Sequence, residues 1–163
     1  MAEQLATQAL DNLVTQFSSA LDCLRELIQN SMDAGSPQIE VWTEFQQGED
    51  ALGTIAIHVD DFGVGMDSQV IDNELTRLFA SSKEDDLTKI GKFGIGFVSI
   101  FALEPEAILL HTGRGGEFWE VLFHKDRSFT KTPVDSPVEG TQITLFLEGD
   151  LERYRELVTE AHA

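Results

Sequence analysis

The strongest constraint on the fold is an amphipathic segment at residues 21–33 that carries both an apolar and a polar stripe. Its apolar side chains recur at the i, i+3, i+4 spacing of a helix that packs one face against a core. These side chains are Leu21, Leu24, Leu27 and Ile28. Gly35 and Pro37 follow, and they end the helix because glycine favours the C-cap and proline cannot continue it. The sequence therefore predicts a helix over residues 19–33.

The polar stripe of this helix places two carboxylates and an amide in one row. Glu26, Asn30 and Asp33 fall at i, i+4 and i+7. A carboxylate can activate water, and an amide oxygen can hold a hard cation such as Mg²⁺. The same pattern is also typical of an ordinary solvated helix face, and this segment alone leaves both interpretations open.

A second candidate element is the loop of residues 60–67 (DDFGVGMD), which follows two alternating segments at residues 39–43 and 54–59. The alternation predicts an antiparallel strand pair. Asp61 at the strand end is able to accept a hydrogen bond from an exocyclic amine such as that of adenine. Gly63 and Gly65 would let a flat base lie against the backbone, with Met66 as an apolar wall. The alternative is an aspartate that only caps the turn.

A third element is the glycine-rich run of residues 90–96 (IGKFGIG), which leads directly into an apolar helix predicted at residues 97–103. Glycines allow close backbone approach, and a helix N-terminus offers free N–H groups, so the pair can form a phosphate cradle. Simple close packing is the alternative. The run lacks the Gly-Lys-Ser/Thr ending of a Walker loop and the glycine spacing of a dinucleotide fingerprint.

Two further positions are weaker candidates. Thr141, after Gly140, opens a late strand where its hydroxyl could join an adenine network through a bridging water. Lys83 lies in a polar segment, where it either approaches terminal phosphates or remains an exposed loop lysine. The four histidines have no metal-ligand spacing, and no Ser/His/Asp set is apparent, so zinc and serine-hydrolase functions have no support.

Composition narrows the class of protein. The 163 residues suit one domain, residues 1–163, and the net charge of −18 disfavours direct binding to nucleic acid or to a membrane. No apolar run approaches the roughly 20 residues of a membrane helix, and the N-terminus lacks signal-peptide features. The single cysteine, Cys23, excludes an internal disulfide and suits a cytoplasmic location.

The remaining pattern predicts an α+β fold. Helices are expected at residues 68–80 and 151–161, and strands at residues 107–112, 117–123 and 141–147. Helices come first and the later strands are nearly consecutive, which favours α+β over alternating α/β.

Four segments, in this order, resemble the motifs of the GHKL ATPases, the superfamily of gyrase, the ninety-kilodalton heat-shock chaperone, histidine kinases and MutL. Residues 26–34 (ELIQNSMDA) resemble the N-box, and residues 61–66 resemble the second motif. Residues 90–99 are similar to the third motif in its heat-shock-chaperone form. Gly140 and Thr141 stand where the fourth motif should be. The resemblance spans residues 20–147.

The resemblance implies a Bergerat fold: a two-layer sandwich of a mixed, mostly antiparallel sheet with helices on one face, holding ATP. By position, Glu26 would be the general base and Asn30 the ligand of Mg²⁺. Asp61 would bind the adenine amine, helped by Thr141. The other positions expected at the nucleotide are Asp33, Gly63, Gly65, Met66, Lys83, Gly91, Gly94, Gly96 and Phe97.

The motif details favour one branch of the superfamily. The acidic Glu26 and the NSMDA run favour the gyrase, MutL and chaperone branches over histidine kinases. The third motif favours the chaperone, and the Arg-Gly-Glu-Ala signature of MutL is missing. Residues 67–90 are short for a chaperone lid.

The expected function is therefore binding and slow hydrolysis of Mg-ATP in a heat-shock-chaperone-like protein. A nucleotide-gated module without turnover, or the ATPase domain of a MutL- or topoisomerase-like protein, are the alternatives. Because these branches take a catalytic Lys or Arg from a following domain, the resemblance implies a further domain or a partner, or an ATP-dependent dimer.

Overall fold

A computed structural model describes residues 20–49, 52–76 and 99–162, together with the single positions Gln4, Gln8 and Phe97. Two predicted features lie outside the described residues: the polar segment with Lys83 and the glycine-rich run of residues 90–96.

Within the described residues, six strands form one sheet in the order β1-β2-β6-β3-β4-β5, and every pairing among them is antiparallel. The strands are β1 (Ile39–Gln47), β2 (Gly53–Asp61), β3 (Ala107–Arg114), β4 (Glu117–His124), β5 (Phe129–Pro133) and β6 (Gly140–Gly149). The last strand in the chain, β6, lies between β2 and β3. This insertion brings Asp61 at the end of β2 beside Thr141 at the start of β6, and Thr141 directly opposite Thr112 on β3.

Two long helices belong to the described residues: α1 (Ala20–Asp33) and α2 (Leu151–His162). Leu24 and Leu27 of α1 join Ile55 and Leu145 of the sheet in one buried core, and Leu157 of α2 packs against it. Burying each such side chain contributes about 1.5–3 kcal/mol. An antiparallel sheet with helices packed against its core-facing side confirms the predicted α+β class.

The ends of both helices follow the predicted local signals. At the end of α1, Gly35 has a φ of 73° and donates to the Met32 carbonyl, while the Ser36 amide donates to that of Ser31. These two bonds make a Schellman motif. Asp150 caps α2 by accepting from the Arg153 amide at 2.9 Å. The stop of α1 was expected from the glycine and proline that follow it.

Two helical predictions differ from the structure. Over the predicted helix at residues 68–80, Ser68–Val70 forms a short α-turn and Ile71–Leu75 a π-helix. The Ile71 carbonyl accepts from both the amide (2.9 Å) and the hydroxyl (3.0 Å) of Thr76, five residues on, and so closes the wider turn. Ser99–Leu103 is 3₁₀-helical rather than α-helical.

Asp60 lies on the sheet face opposite to that of its neighbours Asp61 and Val59. Burial raises the pKa of Asp60 above its ordinary value of 3.8, with Glu40 and Asp61 adding to the rise and His58 opposing it. A raised carboxyl pKa stabilises the fold below the unfolded pKa, and this contribution is lost as pH rises through the folded pKa.

We therefore expect Asp60→Asn to be more stable than the parent chain at neutral pH, with the difference in stability opening as pH rises from 3.8 toward neutrality. Urea unfolding of both proteins across this range measures the difference in free energy of unfolding. A difference in free energy of unfolding that instead shrinks as pH rises would show that the pKa of Asp60 is not raised in the folded protein.

Candidate functional site

A cavity of about 210 Å³ lies where the end of α1 meets the loop after β2 and the start of β6. The described residues that line it are Asn30, Asp33, Ala34, Asp61, Val64, Gly65, Met66, Val70, Glu74, Arg114, Thr141 and Ile143. Three separate parts of the chain thus converge on one concave site with apolar walls and a few polar groups, the usual form of a small-molecule site.

Asp61 is the most strongly fixed polar group in the cavity. Its side chain is only 7% exposed, and Oδ1 accepts from the amides of Gly63 at 3.0 Å and Thr141 at 3.1 Å. Ser31 Oγ lies 3.0 Å from Oδ2 and 3.1 Å from the Leu27 carbonyl oxygen, and these two acceptors share its one proton. A carboxylate has about four lone-pair sites, so these three bonds orient it and leave capacity for a donor in the cavity.

The loop after Asp61 is held between α1 and the sheet. The Val64 amide donates to the Ala34 carbonyl at 3.0 Å, and a Cβ at Gly63 would lie 2.7 Å from that same oxygen. The Met66 amide donates to Thr112 Oγ1 at 2.8 Å. Gly63 is absent from the described lining residues; its role in the structure is close packing against the end of α1.

Gly65 is required by both conformation and space. Its φ is 66°, and a Cβ there would lie 2.0 Å from the Gly113 carbonyl oxygen. We expect Gly65→Ala to lose about 1–2 kcal/mol from the left-handed backbone and about 1–3 kcal/mol more from crowding. Chemical denaturation of the purified variant measures this loss.

Gly115→Ala is the matched control for Gly65→Ala. Gly115 has a similar φ of 63°, but nothing lies within 4 Å of a Cβ built there. Gly115→Ala should therefore lose only the stability that the left-handed backbone costs. Equal losses in the two variants would show that the close approach at Gly65 is unimportant.

The polar stripe of α1 is only partly brought into the cavity. Asn30 and Asp33 line it, and Gln29 Nε2 donates to Asp33 Oδ1 at 2.9 Å. The Nδ2 atom of Asn30 is buried, and within the described residues it has no hydrogen-bond partner. Glu26, one turn earlier and half-buried, is not among the described lining residues.

The residues present fit a magnesium ion bound together with phosphates. Within the part of the chain that the structure describes, no group of three His, Cys, Asp or Glu side chains forms a metal cage. Mg²⁺ does not need one, since it commonly takes one or two protein oxygens with waters and phosphates. The negative end of the α1 dipole and the Asp33 carboxylate favour a cation near Asn30, whose amide oxygen would be the ligand. The unpartnered Nδ2 of Asn30 is a donor and would face a phosphate oxygen.

Charges around the cavity are unequal. Asp33, Asp61 and Glu74 contribute carboxylates, while Arg114 is the one basic group among the described lining residues. A phosphate-bearing ligand would therefore need a cation or backbone N–H groups from elsewhere to offset its charge. The predicted phosphate-binding residues Lys83, Gly91, Gly94 and Gly96 lie outside the described residues.

Sequence reasoning missed Ser31 and Thr112, which support the site from behind. Ser31 is buried on the core side of α1, and a buried hydroxyl on an apolar helix face signals a polar partner. Thr112, fully buried in β3, carries the same signal. Phe97 is described, and its side chain is buried with its ring centroid 5.3 Å from that of Phe123.

Residues 17–143 match the model of a protein family described as the histidine kinase-, DNA gyrase B- and HSP90-like ATPases. This range contains all the described lining residues of the cavity. The chain belongs to this ATPase family. Membership confirms the resemblance to the GHKL ATPases that the four motifs indicated, and it accounts for an antiparallel sheet with a cavity beneath α1.

Curated relatives of this ATPase domain are chaperones. The chain is 30% identical over 173 residues to chaperone protein HtpG of Myxococcus xanthus, covering 93% of this chain and 26% of that protein. It is 26% identical to HtpG of Bacteroides fragilis (82% and 22%) and 29% identical to HtpG of Coxiella burnetii (80% and 25%). The chain thus spans about a quarter of the length of these relatives.

Among the helices of the described residues, none has the length and apolar character needed to cross a membrane.

Proposed function

We propose that residues 1–163 form one ATP-binding domain that binds Mg-ATP and hydrolyses it slowly, as part of a heat-shock-chaperone-like protein. The observation that carries the proposal is Asp61: a buried carboxylate, oriented by three donors, at the wall of a cavity in a domain of an ATPase family.

In this proposal the adenine base occupies the part of the cavity beside Asp61. The carboxylate accepts a hydrogen bond from the adenine amine, and Thr141 assists. Met66, buried in the cavity wall, provides an apolar and polarisable surface for the ring. Gly65 keeps the backbone free of a side chain at this point.

The phosphates would lie toward the end of α1. Asn30 would hold the magnesium ion, with Asp33 nearby, and the ion when bound offsets phosphate charge. The unpartnered Nδ2 of Asn30, a hydrogen-bond donor, supports an acceptor such as a phosphate oxygen at this place. Backbone N–H groups of Gly94, Gly96 and Phe97, with Gly91 and Lys83, remain the predicted phosphate contacts.

Hydrolysis would use Glu26 as the general base. The carboxylate takes a proton from a water molecule as its oxygen attacks the γ-phosphorus, and the bond from that phosphorus to the β–γ bridging oxygen breaks. ADP and inorganic phosphate are the products. Positioning and charge stabilisation provide most of the rate in such reactions.

The charge and the length of the chain bear on the partners. Since the chain spans about a quarter of its HtpG relatives, we propose that a further domain or a partner protein contributes a catalytic Lys or Arg, and that ATP promotes dimerisation. The net charge of −18 suits the absence of direct nucleic-acid or membrane binding, and the single cysteine suits a cytoplasmic location.

The competing function is a nucleotide-gated switch without turnover. One observation favours it: Glu26 is absent from the described residues lining the cavity. Release of phosphate from ATP by the purified chain, with and without Mg²⁺, separates the two. We expect slow, Mg²⁺-dependent release; nucleotide binding with no release above the uncatalysed rate would favour the switch.

A further inference from the structure

We propose that Thr112, a buried threonine behind the cavity, determines which nucleobases the site accepts by holding the Thr141 hydroxyl as a hydrogen-bond acceptor. The inference rests on the proposed nucleotide site and assigns a specificity-determining role to a residue that does not line the described cavity.

Thr112 Oγ1 has three partners and is 0% exposed. It accepts from the Met66 amide at 2.8 Å, lies 3.1 Å from the Gly140 carbonyl oxygen, and lies 2.9 Å from Thr141 Oγ1. A hydroxyl has one proton and two lone pairs, so three partners use all of its capacity.

The direction of each bond follows from the partners. A carbonyl oxygen only accepts, so Gly140 takes the single proton of Thr112. An amide N–H only donates, so Met66 occupies one lone pair. The second lone pair is left for Thr141, whose hydroxyl must therefore donate its own proton to Thr112. Thr141 Oγ1 then has lone pairs, and no proton, to offer a ligand.

Three further donors beside Asp61 are also engaged within the protein. The amides of Gly63 and Thr141 both donate to Asp61 Oδ1, and the Ser31 hydroxyl faces Oδ2. The carboxylate of Asp61 and the hydroxyl of Thr141 consequently present acceptors only. An amino-bearing purine suits this surface, whereas a purine carbonyl oxygen would face unpaired acceptor lone pairs.

The test compares ADP with inosine diphosphate, IDP, which carries a carbonyl oxygen where adenine carries the amine and an N1–H where adenine carries an acceptor nitrogen. The N1 difference is the same for the parent and the variant, so a change in relative affinity between them reports on the carbonyl. Isothermal titration gives the ratio of Kd for IDP to Kd for ADP. In Thr112→Val the Thr141 proton is released and can donate to the carbonyl, so we expect the ratio to fall about tenfold, or about 1.4 kcal/mol. Thr112→Ser keeps the hydroxyl and should keep the parent ratio.

A merely structural role for Thr112 predicts something else. Losing the partner of the Met66 amide would weaken ADP and IDP equally and leave the ratio unchanged, and that result would overturn the inference. A parent chain that binds no ADP at all would instead overturn the proposed function first, so the two failures are distinguishable.

Thr141→Val gives a second test that does not depend on how well Thr112→Val folds. If the Thr141 proton is already used on Thr112, removing the hydroxyl should not weaken IDP more than ADP. A selective loss of IDP affinity in this variant would show that Thr141 donates to the ligand, contrary to the proposal.

Discussion

Replacing Asp61 with asparagine is expected to remove most nucleotide affinity while preserving the fold. The remaining carbonyl oxygen of the amide can still accept from the Gly63 and Thr141 amides, and Ser31 Oγ can accept from the new NH₂ group. The NH₂ group then opposes the adenine amine with a second donor. Losing a hydrogen bond to a charged group costs about 1.5–3 kcal/mol, or roughly 10- to 150-fold in Kd.

Asp60→Asn is the matched control for Asp61→Asn. It is the same substitution one residue earlier in β2, on the opposite face of the sheet. Titration with ADP should show parent-like affinity for Asp60→Asn. Parent-like affinity in Asp61→Asn would remove the basis for placing the base at this carboxylate.

Glu26→Gln is expected to have the largest effect on turnover with little effect on binding. Glutamine keeps the size of the side chain but cannot take the proton of the attacking water. Loss of general-base catalysis lowers the rate by about 10²- to 10⁴-fold. Phosphate release and ADP titration on the same preparation measure the two quantities separately.

Glu44→Gln is the corresponding control for Glu26→Gln. Glu44 is an exposed carboxylate of β1, 2.9 Å from His58 Nε2 and outside the described cavity lining. Glu44→Gln changes the net charge by the same amount as Glu26→Gln. Because Glu44 lies outside the described cavity lining, its turnover should stay at the parent level. If Glu26→Gln loses as much ADP affinity as turnover, Glu26 binds nucleotide and is not the general base.

Features set by short stretches of sequence were predictable. The end of α1 at Gly35 depends on glycine at one left-handed position, and the pairing of β1 with β2 follows from alternation on both strands. Asp61 was identified because a carboxylate, two glycines and a strand end lie within a few residues. Its position beside Thr141 on the distant strand β6 needed the resemblance to a known family.

Features set by distant contacts were not predictable. Strand β5 (Phe129–Pro133) is a short edge strand that ends in proline. Its sequence has no clear alternating apolar pattern, and it is held as a strand by its pairing with β4. The π-helix depends on both bonds of Thr76 to one carbonyl. Ser31 and Thr112 act on groups 30 and 28 residues away, which no local pattern reveals.

Isothermal titration of the chain with ADP and with a non-hydrolysable ATP analogue, with and without Mg²⁺, tests the central claim most directly. The account predicts micromolar binding that strengthens with Mg²⁺, since Asp61 holds the base and Asn30 the metal-bound phosphates. Absence of binding at millimolar nucleotide would contradict it, because the cavity beside Asp61 would then not be a nucleotide site.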